Sequence, residues 1–189
     1  FRYDFFKEYF INLYLSQFFI QKNISDFDEN IQELLLEYIK YDNTFTKNIC
    51  QRIGFDEELQ LFIIELIEQV ISKLIEKENY NDRRLISSLL SILLLSLNLS
   101  SNKNDIENRT KLILDIFGKN LNYLSIINIF GEDIKGNYPT FDFTNTYINN
   151  AWFENYQYFW ECKLDTSSSF YKCTFKDLKP RDRVKLPYI

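Results

Sequence analysis

The hydrophobic positions of this chain recur at intervals of three and four almost from its first residue, and that spacing predicts helices. Over residues 3 to 21 a Phe/Tyr/Leu-rich helix is expected, in which Phe6, Tyr9, Phe10, Leu13, Tyr14 and Gln17 recur at three and four. Ser25 or Asp26 can cap a second helix, with Asp28 and Glu29 suited to the dipole of its first turn. That helix is expected to run to about Tyr41, with Ile31, Leu34, Leu35, Tyr38 and Ile39 on one face. A short helix is predicted from Thr44, ended by Gly54 in a left-handed conformation. Phe55-Asp56-Glu57-Glu58 then opens the clearest stripe in the chain: Leu59, Phe62, Ile63, Leu66, Ile67, Val70, Ile71, Leu74 and Ile75, opposite Glu65, Glu68, Gln69, Ser72 and Lys73.

After a polar turn expected at 79 to 84, Leu85, Ile86, Leu89, Leu90 and Ile92 to Leu95 surround the helix axis. A helix apolar on every side must lie between others, so a stack of several helical layers is expected. A further helix is predicted near Asp105 to Phe117. From Phe143 to Cys162 the aromatics Phe143, Tyr147, Trp152, Phe153, Tyr156, Tyr158, Phe159 and Trp160 recur closely enough to suggest another helix, with the rings as core and not as a ligand cage. The last stretch, 170 to 189, is locally basic, with Lys172, Lys176, Lys179, Arg181, Arg183 and Lys185 against Asp177 and Asp182. It is expected to be a solvated helix face; a docking patch for an acidic partner is the sharper alternative.

Composition narrows the function classes. The 189 residues include 46% hydrophobic and 26% charged, enough to fold, while four Gly and three Pro suit few tight turns. A net charge of -5 gives no reason to expect a nucleic-acid partner. The longest unbroken apolar run of the leucine-rich stretch, Ile92 to Leu95, is far short of the roughly 20 residues of a bilayer span, so no membrane segment is expected. The chain has no Met and begins with Phe, which suggests a fragment or processed piece, and no signal peptide is visible.

Chemistry is also narrowed. With no His, a Ser-His-Asp triad, a Cys-His pair and an HExxH zinc site are excluded. Adjacent acids such as Glu57-Glu58 do not face each other on a helix. Asp26 to Asn30 resembles the start of a calcium loop, but Ile31 stands where that loop needs Gly. Cys50, Cys162 and Cys173 fit neither a disulfide framework nor zinc spacing; buried free thiols are expected, and a hairpin at Ser167-Ser168 pairing Cys162 with Cys173 is the alternative. Asn-x-Ser/Thr triplets at Asn23, Asn98 and Asn108 are about as many as chance gives and do not indicate secretion. No cofactor and no metal are expected, and the chain is expected not to be an enzyme.

One joint is more specific. In "KLIEKENYNDRRLISSLL", Leu74, Ile75, Glu78, Arg84, Leu85 and Ile86 resemble the helix-turn-helix joint of cullins. Phe143, Tyr147, Trp152, Tyr158, Phe159 and Cys162 are similar to a second cullin block, with Asn155 where Thr is usual and Cys162-Lys163 where Glu-Ser is usual. Leu178, Arg183, Tyr188 and Ile189 resemble a third, from which Pro180 departs. "YDFFKEYFINLYLSQF" and "LLEYIKYDNTF" are similar to helices of the first cullin repeat.

The resemblance implies an all-α fold of stacked helical repeats: 1–58 the end of a first repeat, 59–169 a second, and 170–189 the start of the next helix. It implies a non-catalytic stalk of a ubiquitin ligase in the cytoplasm and nucleus; separately, the Asn/Ile/Phe/Tyr bias fits an AT-rich, fungal-type coding sequence. A substrate adaptor would dock near Lys47, Gln51, Phe55 and Glu58. A RING protein would bind a carboxy-terminal domain outside this chain, and Arg84 would pair with Glu76 or Glu78. A helical subunit of another large assembly, or a helical viral antagonist, is the competing expectation.

Overall fold

A computed structural model describes residues 2–41, 43–100, 105–129 and 139–179. The chain divides into two compact units, Phe1–Asn102 and Lys103–Ile189.

The first unit is helical: α1 (Arg2–Gln21), α2 (Glu29–Tyr38), α3 (Thr44–Ile53), α4 (Glu57–Glu76) and α5 (Tyr80–Ser100). Polar side chains set its helix starts. Asp28, Asn43 and Asp56 each accept a backbone N–H from the first turn of α2, α3 and α4, from Ile31, Thr46 and Leu59 at 2.9, 2.7 and 2.7 Å. The cap of α2 is therefore Asp28; Ser25 and Asp26 belong to a preceding 3-10 turn capped by Asn23. Gly54 ends α3 at φ 68°, a backbone that suits glycine.

The stripe of α4 is buried at Leu59, Phe62, Ile63, Leu66, Ile67, Val70 and Leu74, while Ile71 is half-buried and Ile75 stays 64% exposed. α5 is the centre of the unit and packs on α2, α3 and α4. Its residues are buried on every side from Leu85 to Asn98, as its all-round apolar sequence requires. By length and composition α5 alone among the described helices would serve as a membrane span, which the run-length argument missed; most of that stretch is buried inside the protein, the ordinary place of a core helix. The joint into α5 differs from expectation by one residue. α5 begins at Tyr80, and Arg83, not Arg84, pairs with Glu78 at 2.7 Å. Arg84 donates instead to the Leu36 carbonyl at 3.1 Å, tying α5 to α2.

The second unit overturns the all-α expectation. After α6 (Ile106–Phe117), capped by Asp105, the chain forms five three-residue strands: β1 (Ser125–Ile127), β2 (Tyr147–Asn149), β3 (Trp152–Glu154), β4 (Ser169–Tyr171) and β5 (Thr174–Lys176). All described pairings are parallel, in two sheets ordered β1-β3-β5 and β2-β4. The chain thus passes the same place three times, at about 121–129, 147–155 and 169–177, and each pass lies on the last. This is a parallel β coil, not a helical repeat.

Register explains the core. Ile126, Phe153 and Phe175 form one column, and Ile148 and Phe170 another. Phe153 sits among Phe143, Phe159, Phe170 and Phe175 at ring-centroid distances of 6.1, 5.2, 6.3 and 5.5 Å. The rings between Phe143 and Cys162 are mostly core, as expected, but on strands and turns.

The reason lies in the backbone. Tyr123, Asn150 and Lys172 take positive φ at one equivalent point of each pass, and Asn128, Asn155 and Asp177 at a second. Left-handed residues interrupt any helix, and Asn and Asp tolerate them best. Backbone bonds cross between passes there: Asn150 N–H donates to Tyr171 O at 3.0 Å and Asn155 N–H to Lys176 O at 3.0 Å. The Asn155 amide also donates to Asn128 Oδ1 at 2.9 Å.

Buried Arg109 ties α6 to the coil, donating to the carbonyl of Thr140 at 2.9 Å and to its hydroxyl at 3.1 Å. The expected helix at 170–189 is replaced by β4 and β5 as far as it is described. Arg181, Arg183, Lys185, Tyr188 and Ile189 lie outside the described residues. Of the remaining basic residues, Lys176 pairs with Glu154 at 2.7 Å, and Lys172 lies over the Tyr171 ring at 5.2 Å.

Candidate functional site

Most of the exposed large hydrophobic residues of the helical unit are on α1. Successive residues of a helix are about 100° apart, so two stripes can share one helix on opposite sides. Asn12, Leu15, Ser16, Phe18 and Phe19 are buried on the side facing α3 and α2. Tyr3, Phe6, Phe10 and Tyr14, spaced by three, four and four, form the opposite stripe and are 91, 55, 63 and 49% exposed. Most of the stripe read from the sequence, Phe6, Tyr9, Phe10, Tyr14 and Gln17, therefore faces outward; Leu13 is half-buried. The local pattern marks an apolar face but does not say what covers it. An aromatic side chain carries about 150–250 Å² of buriable area, so these four rings expose about 500 Å². That is within the range of the largest apolar patch on a typical monomer, about 300–600 Å², which is often functional.

Beside this stripe, α1 and α3 enclose a cleft of about 220 Å³. α1 lines it with Phe5, Glu8, Tyr9 and Asn12, and α3 with Thr44, Phe45, Asn48 and Arg52. Asn12 is buried and donates its amide to the Phe45 carbonyl at 2.8 Å. Its Oδ1 is also buried and accepts no hydrogen bond. An unpaired buried acceptor costs about 1–3 kcal/mol.

The expected adaptor contacts are spread over α3, the connection after it and the first turn of α4. Lys47 and Gln51 lie one turn apart on α3, half-buried and exposed. Phe55 is half-buried in the connection before α4. Glu58 is in the first turn of α4, where it accepts from Lys22 Nζ at 2.9 Å. That bond, foremost, raises the Lys22 pKa. Glu58 thus anchors the end of α1 to the start of α4. The sequence reasoning missed Asn12, whose only signal was a polar residue on an apolar helix flank.

Cys50 and Cys162 are buried free thiols, as expected, and Cys173 is a partly exposed one. The segment joining Cys162 to Cys173 is a return between coil passes, so no hairpin pairs them. Burial pushes the Cys50 thiol up to about 12 and Cys162 up to about 11, which keeps both protonated and unreactive at neutral pH. Among the described residues, no group of His, Cys, Asp or Glu could hold a metal ion.

Comparison of the chain with protein-family models, with curated proteins and with solved structures finds no match, so none of them identifies a cullin.

Proposed function

We propose that this chain is a non-catalytic docking segment of a larger protein assembly, in which the outward stripe of α1 receives a helix from a partner. The observation that carries the proposal is that stripe, Tyr3, Phe6, Phe10 and Tyr14, with its rings about half or more exposed. A helix with two opposite apolar stripes belongs between two layers, and the helical unit supplies one of them. About 500 Å² of aromatic surface is a large part of the roughly 800 Å² that each partner contributes to a standard interface. Aromatic rings at three- and four-residue spacing are the anchors of helix-to-helix recognition.

The narrower reading, the stalk of a ubiquitin ligase, drew its mechanism from a rod of helical repeats running through Cys162. The parallel coil stands in place of that rod, so ligase membership is left to experiment. The test is a photo-crosslinking residue at Phe10 in the intact protein in its own cells, with Ser72 on the exposed side of α4 as control. One dominant product at Phe10, lost when Phe6 and Tyr14 become Ser and missing at Ser72, is expected. Equal labelling at both sites would overturn the proposal. A RING protein as the product would restore the ligase scaffold.

A further inference from the structure

We infer that the helix received by the outward stripe of α1 is α1 of a second copy of this chain, laid antiparallel across it. The inference rests on the docking proposal above and names its partner.

The order of the rings carries it. Tyr3, Phe6, Phe10 and Tyr14 read tyrosine, phenylalanine, phenylalanine, tyrosine from either end. Taken from residue 8 of α1, Phe6 and Phe10 each lie two residues out, and Tyr3 and Tyr14 lie five and six out. In a two-fold pair, a residue i that meets j on the other copy is met in turn by j. An antiparallel two-fold at residue 8 therefore sets Phe6 against Phe10 of the second copy, twice over, with Tyr3 against Tyr14 outside them. The outer layers miss register by one residue, about 1.5 Å of helix rise, which a tyrosine ring spans. Apolar positions recurring at three and four interlock in layers of this kind. A foreign helix would place no such symmetry on the stripe.

Size and polarity agree. Two stripes of about 500 Å² bury about 1,000 Å² together, where specific interfaces begin. The four rings are uncharged, so at a net -5 per copy any repulsion is left to solvated surface, where salt screens it. The antiparallel sense also opposes the two helix dipoles. From Tyr3 to Phe10 every described side chain of α1 is exposed, and full burial against the helical unit starts only at Asn12. The uncovered half of each helix thus lies across the other, and the two helical bodies stand at opposite ends.

The experiment is sedimentation velocity on the whole chain, in which a concentration-dependent dimer is expected. Phe6→Lys and Phe10→Glu should each weaken it by at least about ten-fold, as losing a buried aromatic anchor does. Both positions are exposed, so the fold should survive, and helical circular dichroism checks that it does. An equimolar mixture of the two variants is expected to regain most of the lost affinity. In the mixed antiparallel pair the introduced lysine meets the introduced glutamate in one layer, and Phe10 meets Phe6 in the other. A parallel pair would set each charge against a phenylalanine and gain nothing from mixing. A chain that stays monomeric up to about 1 mM, a dimer that neither substitution weakens, or a mixture no tighter than either variant alone would each overturn the inference. The docking proposal fails separately: a monomeric chain whose Phe10 still crosslinks to one foreign protein ends the second-copy reading and leaves docking in place.

Discussion

The two units bury their cores by different rules. On α4 one short stretch of sequence is enough to tell which side faces inward: Leu59, Phe62, Ile63, Leu66, Ile67, Val70 and Leu74 repeat at three and four and are buried. In the coil, the neighbours of Phe153 are Ile126 and Phe175, one whole pass away on either side. A helix carries its periodicity within itself, whereas a coil acquires its periodicity only when its copies are laid in register. The backbone shows the same contrast. Of the nine described non-glycine residues with positive φ, eight lie in the coil unit and one, Lys22, in the helical unit.

The largest effect is expected from cutting each core at its centre. Phe153→Ala should cost about 3–5 kcal/mol and Leu89→Ala about 2–5 kcal/mol. Both tryptophans, Trp152 and Trp160, belong to the coil unit, so their fluorescence reports on it, while helical circular dichroism reports mainly on α1 to α5. Each substitution is expected to shift its own probe's denaturant midpoint more than the other's. Equal shifts in both probes would merge the two units into one cooperative body.

Arg109→Met comes next. It removes the two bonds from the buried guanidinium to Thr140, at about 2 kcal/mol in the tryptophan transition. A smaller effect separates backbone from side chain at the repeated left-handed position. Asn155→Ala should cost about 1–2 kcal/mol because Ala resists that conformation. Asn155→Gly should cost less, since glycine accepts the backbone and only the bond to Asn128 is lost. If the two variants are equally unstable, the ladder bond matters more than the φ angle.

The smallest expected effect is an acid one. The hydroxyl of Ser167, foremost, with the Asn145 N–H, the Ser168 hydroxyl and the Ser167 N–H, holds the Asp165 carboxyl at about 2 instead of its ordinary 3.8. A depressed carboxyl stabilises the fold above the unfolded value. Its contribution is therefore intact above about pH 4 and is lost as pH falls through about 2. Carbon-detected NMR titration of Asp165 checks this; a midpoint near 3.8 would remove the turn from the acid response of the coil.

How far the sequence revealed this fold follows from the same contrast. Helices α1 to α6 were legible within a few residues, because caps such as Asp56 and Asp105 and the three-four spacing act locally. Two things were not legible there. Which of α1's two apolar sides meets α3 depends on tertiary packing, which the three-four spacing of Phe6 to Gln17 does not encode. The coil was hidden because its rings also fall at nearly helical intervals. Its signature was present in the alignment of "YINNAWFEN" at 147–155 with "SFYKCTFKD" at 169–177, 22 positions on, where Asn155 meets Asp177 and Phe153 meets Phe175. The Asn12 acceptor could not be read as unpaired from any sequence pattern, since pairing is a property of the folded neighbourhood.

The paired left-handed residues have a consequence for how this chain can change length. Tyr123 and Asn128, Asn150 and Asn155, and Lys172 and Asp177 bracket each pass at a fixed separation of five residues. The returns between passes are not fixed: Ser125 is matched 27 positions on by Trp152, and Trp152 is matched 22 positions on by Thr174. Insertions and deletions are thus tolerated in the returns, where two lengths already coexist. Within a bracket, a single added residue would turn every inward side chain outward.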